Sequence, residues 1–225
     1  MKAMILAAGR GERMGSMTEK TPKPLTKVNG TTLIELNIAR LRDAGIDDIV
    51  INISWLGNQI KSFLGDGSDF GVSLTYCDES ETMLGTGGGI YNALKYLGKN
   101  PFWLVNADLF SDFKIDSSKN LKKNALAHLI LVDNPQHHPS GDFFLEDGQV
   151  ISSIGQKPYT YSGMSVISPM LFKNCKDKIF PLEPLLEYYA SKNSITGEYY
   201  DGLWTDVGTQ ERLSFVEASL RKNVQ

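Results

Sequence analysis

No Gly-x-x-x-x-Gly-Lys-Ser/Thr string occurs anywhere in the 225-residue chain, which excludes a Walker-type phosphate loop. Gly9-x-Gly11 starts a dinucleotide fingerprint, but its third position is Met14, with Gly15 one place late, so that motif is missing as well. Cysteine is scarce: Cys77 and Cys175 lie far apart and form no Cys-x-x-Cys pair. This argues against a zinc site or a disulfide framework and leaves two buried, reduced thiols in a cytoplasmic protein as the expectation. The apolar run Ala3 to Ala8 stops at Gly9 and Arg10, shorter than the core of a secretory leader, and no stretch approaches the length of a membrane span. Positive charge is not in excess. The net charge of −3 argues against a nucleic-acid partner, so anionic ligands must be met by local cations.

Against these absences one region stands out. Leu6-Ala7-Ala8-Gly9-Arg10-Gly11-Glu12-Arg13-Met14 runs from an apolar stretch into a glycine-punctuated loop carrying two arginines, and Thr21-Pro22-Lys23-Pro24-Leu25 follows shortly after. Glycines let backbone N–H groups approach a ligand and form a concavity suited to phosphate. The flanking prolines stiffen the backbone at Lys23. A phosphate-cradling loop beside a fixed cation points to a triphosphate site; for the glycines alone, an ordinary strand-to-loop turn is an equal reading.

Strand and helix signals alternate through the first half. Lys2–Ala8, Asp48–Ile53, Val72–Cys77 and Pro101–Ala107 read as strands. Thr32–Ala44, with Thr31 or Thr32 as N-cap and Gly45 as terminator, reads as a helix, as do Gly57–Leu64 and Gly87–Leu97. This βαβαβ alternation implies a Rossmann-like α/β fold: a mixed, mostly parallel sheet with helices on both faces. In the second half Leu126–Val132, Phe143–Glu146, Val150–Ile154 and Tyr161–Ile167 read as strands, and Leu182–Ser191 and Gln210–Arg221 as helices. With 41% hydrophobic residues and no linker or repeat, one domain over 1–225 is expected, in two halves of about 1–110 and about 111–225. With the final helix ending close to Gln225, no additional acyltransferase domain is expected.

Ligands of open α/β sheets bind beyond the C-terminal strand ends. The Gly9–Met14 loop and Asp108 fall at that edge, and Asp206 must reach it from the second half. Each aspartate alone reads as a turn-capping residue; two converging on a phosphate loop suit Mg²⁺, which binds through one or two carboxylates plus substrate phosphates.

Leu-Ala-Ala-Gly-x-Gly-x-Arg-Met followed by Pro-Lys-Pro-Leu resembles the signature of the sugar-1-phosphate nucleotidyltransferases. The likeness continues through Leu84 to Gly89, Leu104-Val105-Asn106-Ala107-Asp108, Tyr161 to Val166 and Trp204-Thr205-Asp206-Val207-Gly208-Thr209. Trp55-Leu56-Gly57, the Asp133 to His138 stretch and Gly141-Asp142-Phe143 make the chain most similar to the N-acetylmuramate α-1-phosphate uridylyltransferases of cell-wall recycling.

The resemblance implies a Mg²⁺-dependent transfer from UTP to a sugar 1-phosphate. It implies Lys23 and Arg13 as catalytic cations, on the α- and on the β- and γ-phosphates respectively, and Asp108 and Asp206 as metal ligands. Leu6, Ala7, Ala8, Gly9, Gly11, Leu84, Gly87, Gly88 and Asn106 would contact the nucleotide, the glycine run leaving room for a flat base. Tyr161 and Gly163 would contact the sugar. Lys157 resembles a sugar-phosphate lysine, although Gln156 stands where relatives carry glutamate, and a solvated loop lysine stays open. His137 and His138 read as exposed loop residues, and Trp55 as packing. A transferase for a hexose, a heptose or phosphocholine, and an inactive nucleotide-sugar-sensing subunit, remain alternatives. The retained Lys23, Asp108 and Asp206 argue against the last. A monomer or small homo-oligomer is compatible with all of these.

Overall fold

The computed structural model describes residues 1–11, 14–15, 17–152 and 158–222. Its elements follow the sequence signals closely in the first half. β1 (Ala3–Leu6) leads through a short helical turn, α1 (Met17–Lys20), to a small ribbon, β2 (Lys27–Val28) and β3 (Thr31–Thr32), and then to α2 (Leu33–Asp43). Thr32 caps α2 reciprocally: its hydroxyl accepts from the Glu35 N–H while the Glu35 carboxylate accepts from the Thr32 N–H, at 3.3 and 2.7 Å. Gly45 follows the helix in the left-handed region at φ +78°. β4 (Asp48–Ile53), α3 (Gly57–Leu64), β5 (Ser73–Asp78), α4 (Gly85–Leu97) and β6 (Phe102–Asn106) complete the first half.

Then come β7 (Leu109–Ser111), β8 (Ala127–Asp133), β9 (Phe144–Glu146), β10 (Gln149–Ile151) and β11 (Tyr159–Ile167). α5 (Glu183–Ala190), β12 (Ile195–Tyr199), β13 (Trp204–Asp206) and α6 (Gln210–Lys222) close the chain. Nine strands form one sheet in the order β5-β4-β1-β6-β11-β8-β12-β10-β9. Only β11 and β10 run against the other strands of this sheet, each paired antiparallel to both of its neighbours. The mixed, mostly parallel sheet is therefore what forms.

Alternation along the strands sorts side chains to two faces. Ala3 and Ile5, the isoleucines Ile49, Ile51 and Ile53, and Trp103 and Val105 meet Ile34, Ile38 and Leu41 of α2 and Ile60 and Leu64 of α3. Met4, Val50, Phe102 and Leu104 meet Ile90, Ala93 and Leu97 of α4 and Leu186 and Ala190 of α5 on the other face. Cys77 is buried, whereas Cys175 is only partly so; both are free thiols.

Candidate active site

Four adjacent parallel strands end on one side of the sheet, and each delivers polar groups there. β1 runs into the Ala7–Gly11 loop, β4 ends next to Asn52, β5 is followed by Glu79, and β6 gives Asn106 and Asp108. Together they border a cleft of about 510 Å³ that also includes Arg10, Lys23, Leu84, Gly85, Thr86 and Gly208. Of the expected nucleotide contacts, Leu6, Ala7, Ala8, Gly9, Gly11, Leu84 and Asn106 all border it. A Cβ added to Gly9 would meet no protein atom within 4 Å, so that loop opens to the cleft, whereas Gly11 (φ +68°) sits within 3.0 Å of Thr18 and 3.1 Å of Lys23 by the same measure.

The cleft floor is a buried polar chain. The Ala7 N–H donates to Asn52 Oδ1 at 2.9 Å, and Asn52 Nδ2 donates to Glu79 Oε1 at 3.0 Å. Burial raises the Glu79 pKa above the ordinary carboxylate value, with the Asn52 hydrogen bond opposing. Neither Asn52 nor Glu79 was anticipated from the sequence; a polar residue closing a β-branched strand is too common a pattern to flag.

Lys23 is buried, with 8% of its surface exposed, in a single turn (Lys23–Leu25) entered from the extended Pro22. Its ammonium is paired with the Asp108 carboxylate. Asp206 comes from the second half, at the end of β13. β13 pairs antiparallel with β7, setting Asp206 opposite Leu109, and the Val207 N–H donates to the Asp108 carbonyl at 2.9 Å. Buried Asn37 of α2 ties β7 down by donating to the Leu109 carbonyl at 3.0 Å. The two aspartates thus sit on adjacent strand ends; Asp108 borders the cleft, and Asp206 stands two residues before Gly208, which also borders it. Arg13 and Lys157 lie outside the described residues.

A smaller pocket of about 160 Å³ shares Leu6, Thr86 and Asn106 with the cleft and adds Asp142, Phe143, Tyr161 and Glu183. Tyr161 presents its ring there, because its hydroxyl pairs with Ser165 at 2.7 Å and its N–H donates to Asp142 at 2.7 Å. Gly163 occupies a strand irregularity at φ +81°, where a Cβ would lie 2.6 Å from Asn106 Nδ2. The glycine there permits close approach to a residue shared by both pockets.

Two expectations change. The glycine run is only partly turned to the cleft, which Gly85 borders. Gly87 and Gly88 are helical, do not border the cleft, and face the 178–181 segment, where a Cβ on Gly87 would meet the Phe180 ring at 2.4 Å and one on Gly88 the Lys178 carbonyl at 2.2 Å. His137 and His138 are loop residues with exposed side chains, as expected, and each has polar partners. His138 meets Asp142 at 2.7 Å, and His137 meets Asp206 at 3.3 Å and the Arg212 guanidinium at 2.9 Å. Trp55, 40% exposed, is not simple packing: the Arg10 guanidinium lies over its ring at 5.1 Å, which holds a cation at the cleft.

Residues 2–169 match the family model described as nucleotidyl transferase, and the chain belongs to that family. Within it, the chain is 44% identical to the N-acetylmuramate alpha-1-phosphate uridylyltransferase of Neisseria meningitidis serogroup B, with 97% of each protein covered. It is 30% identical to the enzyme of that name from Caulobacter vibrioides, over 97% of this chain and 96% of the relative. Among solved structures, HddC from Yersinia pseudotuberculosis aligns with a TM-score of 0.80 at 21% identity, covering 97% of this chain and 99% of that one. A Bacillus anthracis protein solved with a bound sucrose aligns at 0.86 and 23% identity, covering 98% and 95%. These two likenesses carry the fold. Among the described residues no helix is long and apolar enough to cross a membrane.

Proposed function

We propose that this protein transfers a uridylyl group from UTP to N-acetylmuramate 1-phosphate in the cytoplasm, releasing pyrophosphate as part of cell-wall recycling. The observation that supports the chemistry is the β7–β13 pairing, which sets Asp206 opposite Leu109, the neighbour of Asp108, while the Lys23–Asp108 pair borders the cleft together with the Ala7–Gly11 loop. The sugar and the base rest on the likeness to the Neisseria and Caulobacter enzymes.

In the proposed reaction an oxygen of the sugar 1-phosphate attacks the α-phosphorus of UTP in line, and the bond to the bridging oxygen of the β-phosphate breaks. The nucleophile is already an anion near neutral pH, so no general base is required and the protein contributes positioning and charge. Lys23 exchanges Asp108 for an α-phosphate oxygen as negative charge builds there. Arg13 holds the β- and γ-phosphates with its planar fork, and Arg10, steadied on Trp55, adds a second cation at the loop. Two carboxylates on adjacent strand ends fit Mg²⁺, which takes one or two carboxylates and completes its shell with phosphate oxygens and water. Asp108 and Asp206 would hold that ion, which when bound neutralises charge across the phosphates. The sugar sits in the smaller pocket against the Tyr161 ring and beside Asn106, which Gly163 adjoins, and Lys157 is the candidate cation for its phosphate.

A pyrophosphate-release assay crossing the four common triphosphates with a panel of sugar 1-phosphates tests the reading. UTP with N-acetylmuramate 1-phosphate is expected to give the highest kcat/KM. A preference for glucose or mannose 1-phosphate overturns the sugar assignment, and no turnover with any pair overturns the chemistry.

A further inference from the structure

Arg212 is placed where neither helix formation nor core packing calls for it. α6 turns Leu213 and Val216 toward Val28, Leu33 and Val207, and Arg212 points elsewhere. It stands in the first turn, where the helix macrodipole disfavours a cation. Its position is nonetheless fixed from several sides. Thr209 Oγ1 accepts from the Arg212 N–H at 3.3 Å and from its Nε at 3.4 Å. Gly208 lies flush against the guanidinium, since a Cβ there would come within 2.6 Å of Nη2. The side chain is only 16% exposed.

One guanidinium nitrogen, Nη1, serves two partners. It donates to Asp206 Oδ1 and to His137 Nε2, the latter at 2.9 Å. Because a guanidinium has no acceptor, the imidazole nitrogen is the acceptor in that contact. His137 Nε2 also stands 3.3 Å from the same Asp206 oxygen. All of this falls on Oδ1. The other oxygen, Oδ2, lies beside Gly208, a residue of the cleft wall.

We propose that Arg212, braced by His137, is the positioning residue that fixes Asp206 by its Oδ1 so that Oδ2 alone is offered to the cleft cation. This rests on the reading of Asp206 as a metal ligand. Mg²⁺ demands near-octahedral geometry, so a carboxylate that cannot swivel is a better ligand than a free one, and groups that orient a ligand typically govern affinity as strongly as some ligands do. The competing effect has the opposite sign. A guanidinium close to a cation repels it, so if Arg212 acted only as a charge its removal would tighten metal binding.

The sign decides. Mn²⁺ is titrated by electron paramagnetic resonance into the protein carrying a non-hydrolysable UTP analogue, for the native chain and for Arg212→Gln, Arg212→Lys, His137→Ala and Asp206→Asn. Arg212→Gln is expected to weaken Mn²⁺ binding about 10–100-fold with the metal-free unfolding midpoint little changed. Arg212→Lys should recover part of the loss. His137→Ala, at a position 37% exposed and therefore safe for folding, should give a smaller loss. Unchanged or tighter Mn²⁺ binding in Arg212→Gln and His137→Ala, with binding lost in Asp206→Asn, overturns the positioning role. Unchanged binding in Asp206→Asn overturns the metal assignment beneath it.

Discussion

Lys23 and Asp108 are each other's counter-ions in the ligand-free protein, both largely screened from water. That pairing explains how a buried ammonium is tolerated next to a loop built for phosphate, since an unpaired buried charge is costly. It also ties the two residues to one outcome. Lys23→Ala and Asp108→Ala should each lower kcat/KM by about 10²–10³-fold or more, the typical loss for a pre-placed transition-state charge, while far-UV circular dichroism stays native. Pyrophosphate release measured on both variants checks this, and near-normal turnover in both removes them from the mechanism. Lys23 was legible from its place between two prolines, whereas Asp108 alone reads as a turn-capping residue and was singled out by the family resemblance of the Leu-Val-Asn-Ala-Asp string. Asn52, Glu79, Arg10 and Arg212 were not legible. Their roles depend on partners remote in sequence, such as the 2.9 Å bond from the Ala7 N–H to Asn52, and no local spacing encodes those.

At the scale of elements, α4 shows how a sequence pattern can be read for the wrong partner. Its glycines suggest an opening for a base, yet they let the helix dock on the 178–181 segment, where the Gly88 N–H donates to the Phe180 carbonyl and the Phe180 N–H to the Leu84 carbonyl, both at 3.0 Å. This sets the sign of a substitution. In an exposed helix Gly→Ala stabilises by up to about 1 kcal/mol. In Gly88→Ala the new methyl would lie 2.2 Å from a backbone carbonyl, so strain of about 1–3 kcal/mol or more should win. Urea denaturation should show a lower midpoint, and a stabilised variant would mean the segment yields easily. Elsewhere, elements with a full period were readable: β4 and α3 fall on the expected residues, and Thr32 is the cap of α2. β12 was missed because Ile195–Tyr199 carries a glycine and a glutamate among few apolar residues. β7 and β13 are three residues each, too short to show alternation, although their pairing is what sets Asp206 beside the Asp108 segment.

Over the whole molecule, the boundary expected near residue 110 does not interrupt the sheet. β11, from the second half, hydrogen-bonds to β6 of the first, with Met164 opposite Val105, and the cleft takes its wall from Leu6 at one end of the chain and Gly208 at the other. If the two halves fold as one unit, nucleotide binding must stabilise both together, because a ligand that binds only the native state adds RT ln(1 + [L]/Kd) to the whole cooperative transition. If they were separate domains, only the half holding the site would gain. With UTP and Mg²⁺ at about a hundred times the Kd measured by titration, the gain is about 2.7 kcal/mol, which for a chain of this size moves the melting midpoint by about 5–10 °C. Calorimetry should therefore show one endotherm, displaced as a whole. Two endotherms with only one displaced would divide the chain into two domains, and a single endotherm that does not move would mean that the nucleotide bound in the titration does not prefer the native state.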